Sequence, residues 1–362
     1  MRFFICVGTR PECIKMAPVI LELKRRIKAG DSVTVCHSGQ HEKMADDVLS
    51  FFGIEPDIRF SAMREGQSLS ELSVRLLDFF DMAIKREKPD IVLVHGDTTT
   101  AFCASLAAFY RGVRVAHVES GLRTFDTLAP YPEEFNRVAV DSISDICFAP
   151  TQTNAQNLEK EGKKCVFTVG NTIIDTFKYT LKKDYSSPLL DLVAGRRLVL
   201  LTTHRRENRG RIMSEQLLAV RELLEELDDA FCVLPCHPGR EVREVVEPVF
   251  ENVKNIKICE PLQLFDFHNL LWRSSAVISD SGGIQEEAAY LGIPLFLLRE
   301  VTERQEAVGK NCVLLGTDAA HLRAILRQFF CESDRLDTLR ISSNVFGTGD
   351  TAGKIVDLLL EN

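Results

Sequence analysis

The chain has 362 residues, enough for two hydrophobic cores at roughly one domain per 150 residues. Its 44 lysines and arginines against 52 aspartates and glutamates leave a formal net charge of −8, which disfavours nucleic acid and anionic membrane surfaces as partners. Hydrophobic residues at 45% and charged residues at 27% exclude a disordered chain, and the apolar run Leu291–Leu298, broken by Gly292 and Pro294, is too short to span a bilayer.

In chain order, short β-branched or aromatic runs alternate with polar turns and segments of helical period, the pattern of βα units on a parallel sheet. Met1-Arg2 leads straight into the first run without a secretory leader, so a cytoplasmic location is expected. Strands are predicted at 3–8, 32–37, 90–95, 113–118, 146–149 and 166–169. The first helix is predicted over 11–28, with Pro11 in its first turn, Lys and Arg in its last and Gly30 just beyond. After the linker-like stretch Lys182–Pro188, a second series is predicted at 197–203, 231–236, 256–259, 276–280, 294–298 and 312–315. The fold class is therefore α/β, with two Rossmann-like, doubly wound domains and a ligand cleft at the carboxyl ends of their strands. Eleven cysteines, odd in number and mostly within apolar patterns, read as reduced small hydrophobes.

Unusual polar residues cluster after the strands. Gly8-Thr9-Arg10-Pro11-Glu12, with Lys15 one turn on, brings a guanidinium, an ammonium and free N–H groups to a helix N-terminus, where an anion fits. His95-Gly96-Asp97 delivers a carboxylate that also reads as an ordinary helix cap. Glu119, in His117-Val118-Glu119-Ser120-Gly121, delivers another to the same rim. Pro132-Glu133-Glu134 opens a helix on which Glu133 and Arg137 share a face, either in a site or as a surface ion pair. In the second half, His204-Arg205-Arg206-Glu207-Asn208 follows a strand and suits a phosphate. Asp280-Ser281-Gly282-Gly283 lets backbone N–H groups approach a diphosphate, with Glu286 or Glu287 beyond for ribose hydroxyls. Neither GxGxxG nor GxxxxGK[ST] occurs, which disfavours NAD and a P-loop, and no metal set is found at His37 and His41. No cofactor is expected.

GTRPE with Ile14-Lys15, HGDTTT, HVESGLRT, PEEFNR, HRREN, EPLQLFDFHN, SDSGGIQEEA and TERQEAV follow one another in the order of the non-hydrolysing UDP-N-acetylglucosamine 2-epimerases, and the chain resembles that family from Arg2 to about Asp318. The resemblance implies a glycosyltransferase-B-like fold: an N-terminal domain of 1–180, a UDP-binding domain of 181–347, and residues 348–362 crossing back onto the first through a helix at Asp350–Leu360. It implies Asp97, Glu119, Glu133 and His204 as catalytic residues. Substrate contacts would come from Arg10, Lys15, Arg137, Phe267, Ser281, Gly282, Gly283, Glu287 and Arg304. It further implies a homodimer and a regulatory site for a second UDP-GlcNAc at Gln40, His41, Arg206 and His237. Ser120 and Gln305 depart from the family's alanine and proline without removing a charge.

The implied reaction interconverts UDP-GlcNAc and UDP-ManNAc. The C2 proton of the sugar is not adjacent to a carbonyl, so direct abstraction is slow. Breaking the C1–O bond to UDP acidifies C2–H, and a carboxylate can then take the proton, giving 2-acetamidoglucal. Reprotonation from the opposite face needs a second acid/base group. A hydrolysing epimerase that releases ManNAc, a glycosyltransferase and a non-catalytic UDP-sugar sensor are the alternatives.

Overall fold

A computed structural model describes residues 1–203, 210–332 and 334–361. The chain divides into two units, Met1–Lys178 with Phe346–Asn362 and Tyr179–Val345.

The first unit begins β1 (Arg2–Val7), α1 (Arg10–Arg26), β2 (Ser32–His37), α2 (Glu42–Phe51), β3 (Ile58–Arg59), α3 (Leu69–Glu87), β4 (Ile91–His95) and α4 (Thr99–Tyr110). It continues with β5 (Arg114–Val118), α5 (Glu133–Ile143), β6 (Ile146–Ala149), α6 (Gln152–Lys160), β7 (Val166–Thr168) and α7 (Ile173–Thr180), which crosses the division. The seven strands are parallel in the order β3-β2-β1-β4-β5-β6-β7. The order reverses beside β1, which pairs with both β2 and β4, so the loops after β1 and β4 splay apart at a switch point. β1 from Phe3 to Val7 and β4 from Ile91 to Val94 are continuously apolar and buried, as strands covered by helices on both faces must be. Phe4, Leu76, Phe80, Val92 and Ala104 meet on one face, and Phe4→Ala would cost about 3 to 5 kcal/mol.

Helix α1 shows how local chemistry sets an element's start. Thr9 accepts from the Glu12 N–H while the Glu12 carboxylate accepts from the Thr9 N–H at 2.7 Å, a reciprocal cap. The helix therefore begins at Arg10, one residue before the predicted start, and ends at Arg26 because Ile27 is extended.

The second unit holds α8 (Pro188–Val193), β8 (Arg197–Thr202), α9 (Arg211–Glu226), β9 (Ala230–Pro235), α10 (Arg240–Val249), β10 (Ile256–Cys259), α11 (Leu264–Arg273) and β11 (Ala276–Ser279). α12 (Ile284–Leu291), β12 (Leu295–Leu297), β13 (Cys312–Leu314) and α13 (Ala319–Phe330) complete it. Its six parallel strands run β10-β9-β8-β11-β12-β13, again reversing beside the unit's first strand. A separate core gathers Leu201, Leu217, Leu234, Ile278 and Phe296. The stretch Lys182–Pro188 is no free tether. Arg273 donates to the carbonyls of Lys182 and Lys183 at 2.8 and 2.9 Å, and the Tyr185 hydroxyl donates to Asp266 at 2.7 Å.

The last helix, α14 (Thr351–Glu361), returns to the first unit. The buried Asp175 carboxylate accepts from the N–H groups of Thr351 and Ala352 at 3.2 and 3.0 Å, and Arg26 pairs with Asp357. Asp175 thus caps a helix far away in sequence, and burial raises its carboxyl pKa.

Candidate active site

Parallel pairing sets His95 opposite Val118, so Asp97 and Glu119 leave adjacent strand ends on the same rim. Glu119 lies at φ 67°, in the left-handed region that a residue with a Cβ rarely adopts. Such strain aims its carboxylate, which ion-pairs with the buried Lys15 of α1 and accepts from Asn171 Nδ2 at 2.6 Å. Its other oxygen lies 3.5 Å from His95 Nε2. His95 is buried, and desolvation drives its pKa down to about 3, so it faces Glu119 as a neutral imidazole.

Asp97 pairs with the guanidinium of Arg137, and its backbone carbonyl accepts from Asn136 Nδ2 at 2.9 Å. Arg137 is 5% exposed and also lies 3.3 Å from Glu134, so it is not the solvated surface charge of the alternative reading. Glu134 accepts from the N–H groups of Thr124 and Phe125 at 2.8 and 3.0 Å, holding the loop before α5. Glu133 opens α5 and is half-buried.

Two further groups brace the rim. Glu12 accepts from Gly8 N, Thr9 N and Thr98 Oγ1 at 3.1, 2.7 and 2.7 Å, joining the loop that carries Arg10 to the loop that carries Asp97. It is fully enclosed, and desolvation raises its pKa to about 7 against the lowering effect of these bonds. Asp141 lies 2.6 Å from His117 Nδ1 and 2.8 Å from Arg123, and accepts from Gly121 N at 3.1 Å. His117 Nε2 meets the Gly96 carbonyl at 2.8 Å, so one buried aspartate ties together the turns bearing both catalytic candidates. Two residues of the predicted regulatory set lie beside this rim. The Gln40 amide oxygen accepts from Thr100 at 2.8 Å, and His41 N donates to Gly8 at 2.7 Å.

In the second unit, Ser281 N donates to Ser279 Oγ at 2.9 Å, and Gly282 and Gly283 precede α12. A Cβ on Gly282 would lie 2.7 Å from Glu303 Oε1 and 3.1 Å from an Arg304 nitrogen, whereas one on Gly283 would meet nothing within 4 Å. A side chain at Gly282 would therefore displace the ends of the Glu303 and Arg304 side chains, and Gly283 leaves open space where a ligand could approach the backbone. Glu286 is buried against Arg304 Nε at 2.7 Å, and Arg304 also pairs with Glu303. Glu287 instead meets His268 Nε2 at 2.8 Å. Phe267 is half-buried on α11, and His237, exposed, accepts from Gly239 N at 3.0 Å. His204 and Arg206 lie outside the described residues.

In the first unit, Lys15 meets Glu119, Arg137 meets Asp97, and Gln40 and His41 reach the same rim, while Arg10 and Glu133 open α1 and α5. In the second, Ser281, Gly282 and Gly283 precede α12, whose Glu286 pairs with Arg304 and whose Glu287 meets α11 through His268, the neighbour of Phe267. Among the described residues, no group of three or more metal-ligating side chains could hold a metal ion. No helix among them is long and apolar enough to cross a membrane. Sequence reasoning missed Asn171 and His268 as supports, since each reaches its carboxylate from a distant segment; the buried role of Glu12 was signalled only by its capping spacing.

A family model described as UDP-N-acetylglucosamine 2-epimerase matches residues 25–360. The UDP-N-acetylglucosamine 2-epimerase of Bacillus subtilis is 44% identical over 98% of this chain and 93% of its own length. A crystal structure of a putative UDP-N-acetylglucosamine 2-epimerase from Listeria monocytogenes superposes with a TM-score of 0.95 at 41% identity, covering 99% of this chain and 95% of that one. That of the UDP-GlcNAc 2-epimerase from Neisseria meningitidis, bound to UDP-GlcNAc, does so with a TM-score of 0.94 at 37% identity over the whole of both chains.

Proposed function

The chain belongs to the UDP-N-acetylglucosamine 2-epimerase family, and on that premise we propose that it interconverts UDP-GlcNAc and UDP-ManNAc without releasing the free sugar. The observation that carries the reading is the pair of carboxylates on adjacent strand ends, Glu119 held by Lys15 and Asp97 by Arg137. A sugar epimerised through an enol-ether intermediate needs two acid/base groups, one for each face of C2.

In the forward direction the C1–O bond breaks and its electron pair leaves with UDP. A carboxylate of the first unit takes the C2 proton, and the C2–H electrons form the C1=C2 double bond of 2-acetamidoglucal. A second carboxylate returns a proton to the other face while a diphosphate oxygen of UDP re-adds to C1. Asp97, Glu119 and Glu133 are the acid/base candidates, with Arg10, Lys15, Arg137 and His204 offsetting charge on the diphosphate. The second unit holds the nucleotide, with Gly283 open to the diphosphate, Glu287 accepting from the ribose hydroxyls, and Phe267, Ser281, Gly282 and Arg304 shaping the site.

From the family resemblance we also propose a regulatory UDP-GlcNAc contacted by Gln40, His41, Arg206 and His237, and a homodimer, for which the exposed Val74, Met82, Phe109 and Phe135 of α3, α4 and α5 are candidate contacts. Light scattering that gives a monomer would dispose of the dimer.

Incubation with UDP-GlcNAc in D2O, without added metal or NAD, tests the reaction by NMR. Deuterium at C2 in a UDP-GlcNAc/UDP-ManNAc mixture is expected. Free ManNAc would identify a hydrolase, and binding without exchange a sensor.

A further inference from the structure

Two neighbouring carboxylates of α12 have opposite surroundings. Glu286 is 1% exposed and pairs with the Arg304 guanidinium. The Glu287 side chain is 10% exposed, and among the described residues the ionisable group within ion-pairing reach is His268. His268 is wholly buried on α11; its Nε2 lies 2.8 Å from Glu287 Oε1 and its Nδ1 2.8 Å from Thr180 Oγ1. The next residue, Asn269, donates to the Thr180 backbone carbonyl at 2.7 Å, so α11 grips Thr180 by both its main chain and its hydroxyl.

Hydrogen-bond valence gives this chain a direction. An ionised carboxylate only accepts, so Nε2–H donates to Glu287. In that tautomer Nδ1 carries a lone pair, and the Thr180 hydroxyl donates to it. We infer that Thr180 and His268 form a one-way relay that fixes the plane of the Glu287 carboxylate for a vicinal diol, making His268 a positioning residue for ribose recognition. The inference rests on the reading that Glu287 accepts from a nucleoside's 2′ and 3′ hydroxyls. Holding Oε1 in a buried bond stops the carboxylate from turning, so its remaining lone pairs face two hydroxyl donors at a fixed separation. A free carboxylate on a solvent-facing turn would bind one hydroxyl as readily as two and would discriminate poorly.

Calorimetric titration with UDP and with 2′-deoxy-UDP tests this. The wild-type protein should prefer UDP by about tenfold, the share of one hydrogen bond to a charged acceptor. His268→Leu should bring that ratio close to one, mainly by weakening UDP. His268→Gln, whose amide can donate from near the Nε2 position, should restore most of it. Thr180→Val, which keeps the volume and removes the hydroxyl, should lower the ratio in the same direction and serves if His268→Leu fails to fold. In the wild-type protein, 15N NMR should show the proton on Nε2 and a bare Nδ1. A bare Nε2, or an undiminished ratio in folded His268→Leu or Thr180→Val, overturns the relay. If the wild-type protein itself binds both nucleotides equally, the reading of Glu287 fails instead, and the relay with it.

Discussion

Glu12 is enclosed by the protein yet accepts three hydrogen bonds, and burial lifts its pKa from the ordinary 4.5 to about 7. Between those two values the folded chain keeps a proton that the unfolded chain has lost. Stability therefore falls as pH rises through this window, and the full cost persists above it. The difference of about 2.5 pH units corresponds to about 3 kcal/mol, of which roughly 2.5 kcal/mol accrues between about pH 5 and pH 8. Glu12→Gln has no proton to lose. Its amide oxygen can serve the Gly8 and Thr9 N–H groups, and its amide nitrogen can face Thr98, so any misfit adds an offset that does not vary with pH. Urea unfolding followed by circular dichroism, at both pH values and for both proteins, isolates the titration. The variant should gain roughly 2 kcal/mol on wild type on going to the higher pH. Other titrating groups, Asp175 included, are common to both and cancel. A stability difference that does not change with pH would refute the reasoning.

Lys15→Met leaves the Glu119 carboxylate, 11% exposed, without its cation; the variant should lose about 3 kcal/mol in urea titrations, and adding Glu119→Gln should recover much of it. Strict additivity of the two changes would argue against a coupled pair. Gly282→Ala pushes aside the side-chain ends of Glu303 and Arg304 and should weaken UDP binding by calorimetry. Gly283→Ala should leave melting unchanged, and weaker UDP binding in that variant would locate the ligand against this backbone. All eleven cysteines are unpaired, and Cys331 is the exposed one; a thiol reagent on the native protein should modify Cys331 first, and Cys331→Ser should remove that fast phase.

Strand positions were legible because a strand covered on both faces reads as a continuous apolar run, as in 146–149, which coincides with the buried β6, while the edge strand β10 coincides with 256–259 through the alternation of Ile256 and Ile258 with exposed Lys257. The edge strand Ile58–Arg59 escaped notice, since two residues carry no periodicity. The rim carboxylates were visible as polar residues following apolar strands, but their partners were not. The i,i+4 spacing offered Arg137 to Glu133, whereas the fold also brings it to Asp97, 40 residues away. Asn171 reaches Glu119 across 52 residues, a proximity set by sheet order and not by any local pattern.

The return of α14 has a consequence for biosynthesis. Tyr179–Val345, the whole of the second unit, leaves the ribosome before Phe346–Glu361 does. Until that last stretch emerges, Asp175 has no N–H groups to receive, and the side of α1 that meets α14 stays open. The half that is translated first is therefore the half that is completed last. A stop codon just ahead of Phe346 would spare every residue of the second unit and still damage the first.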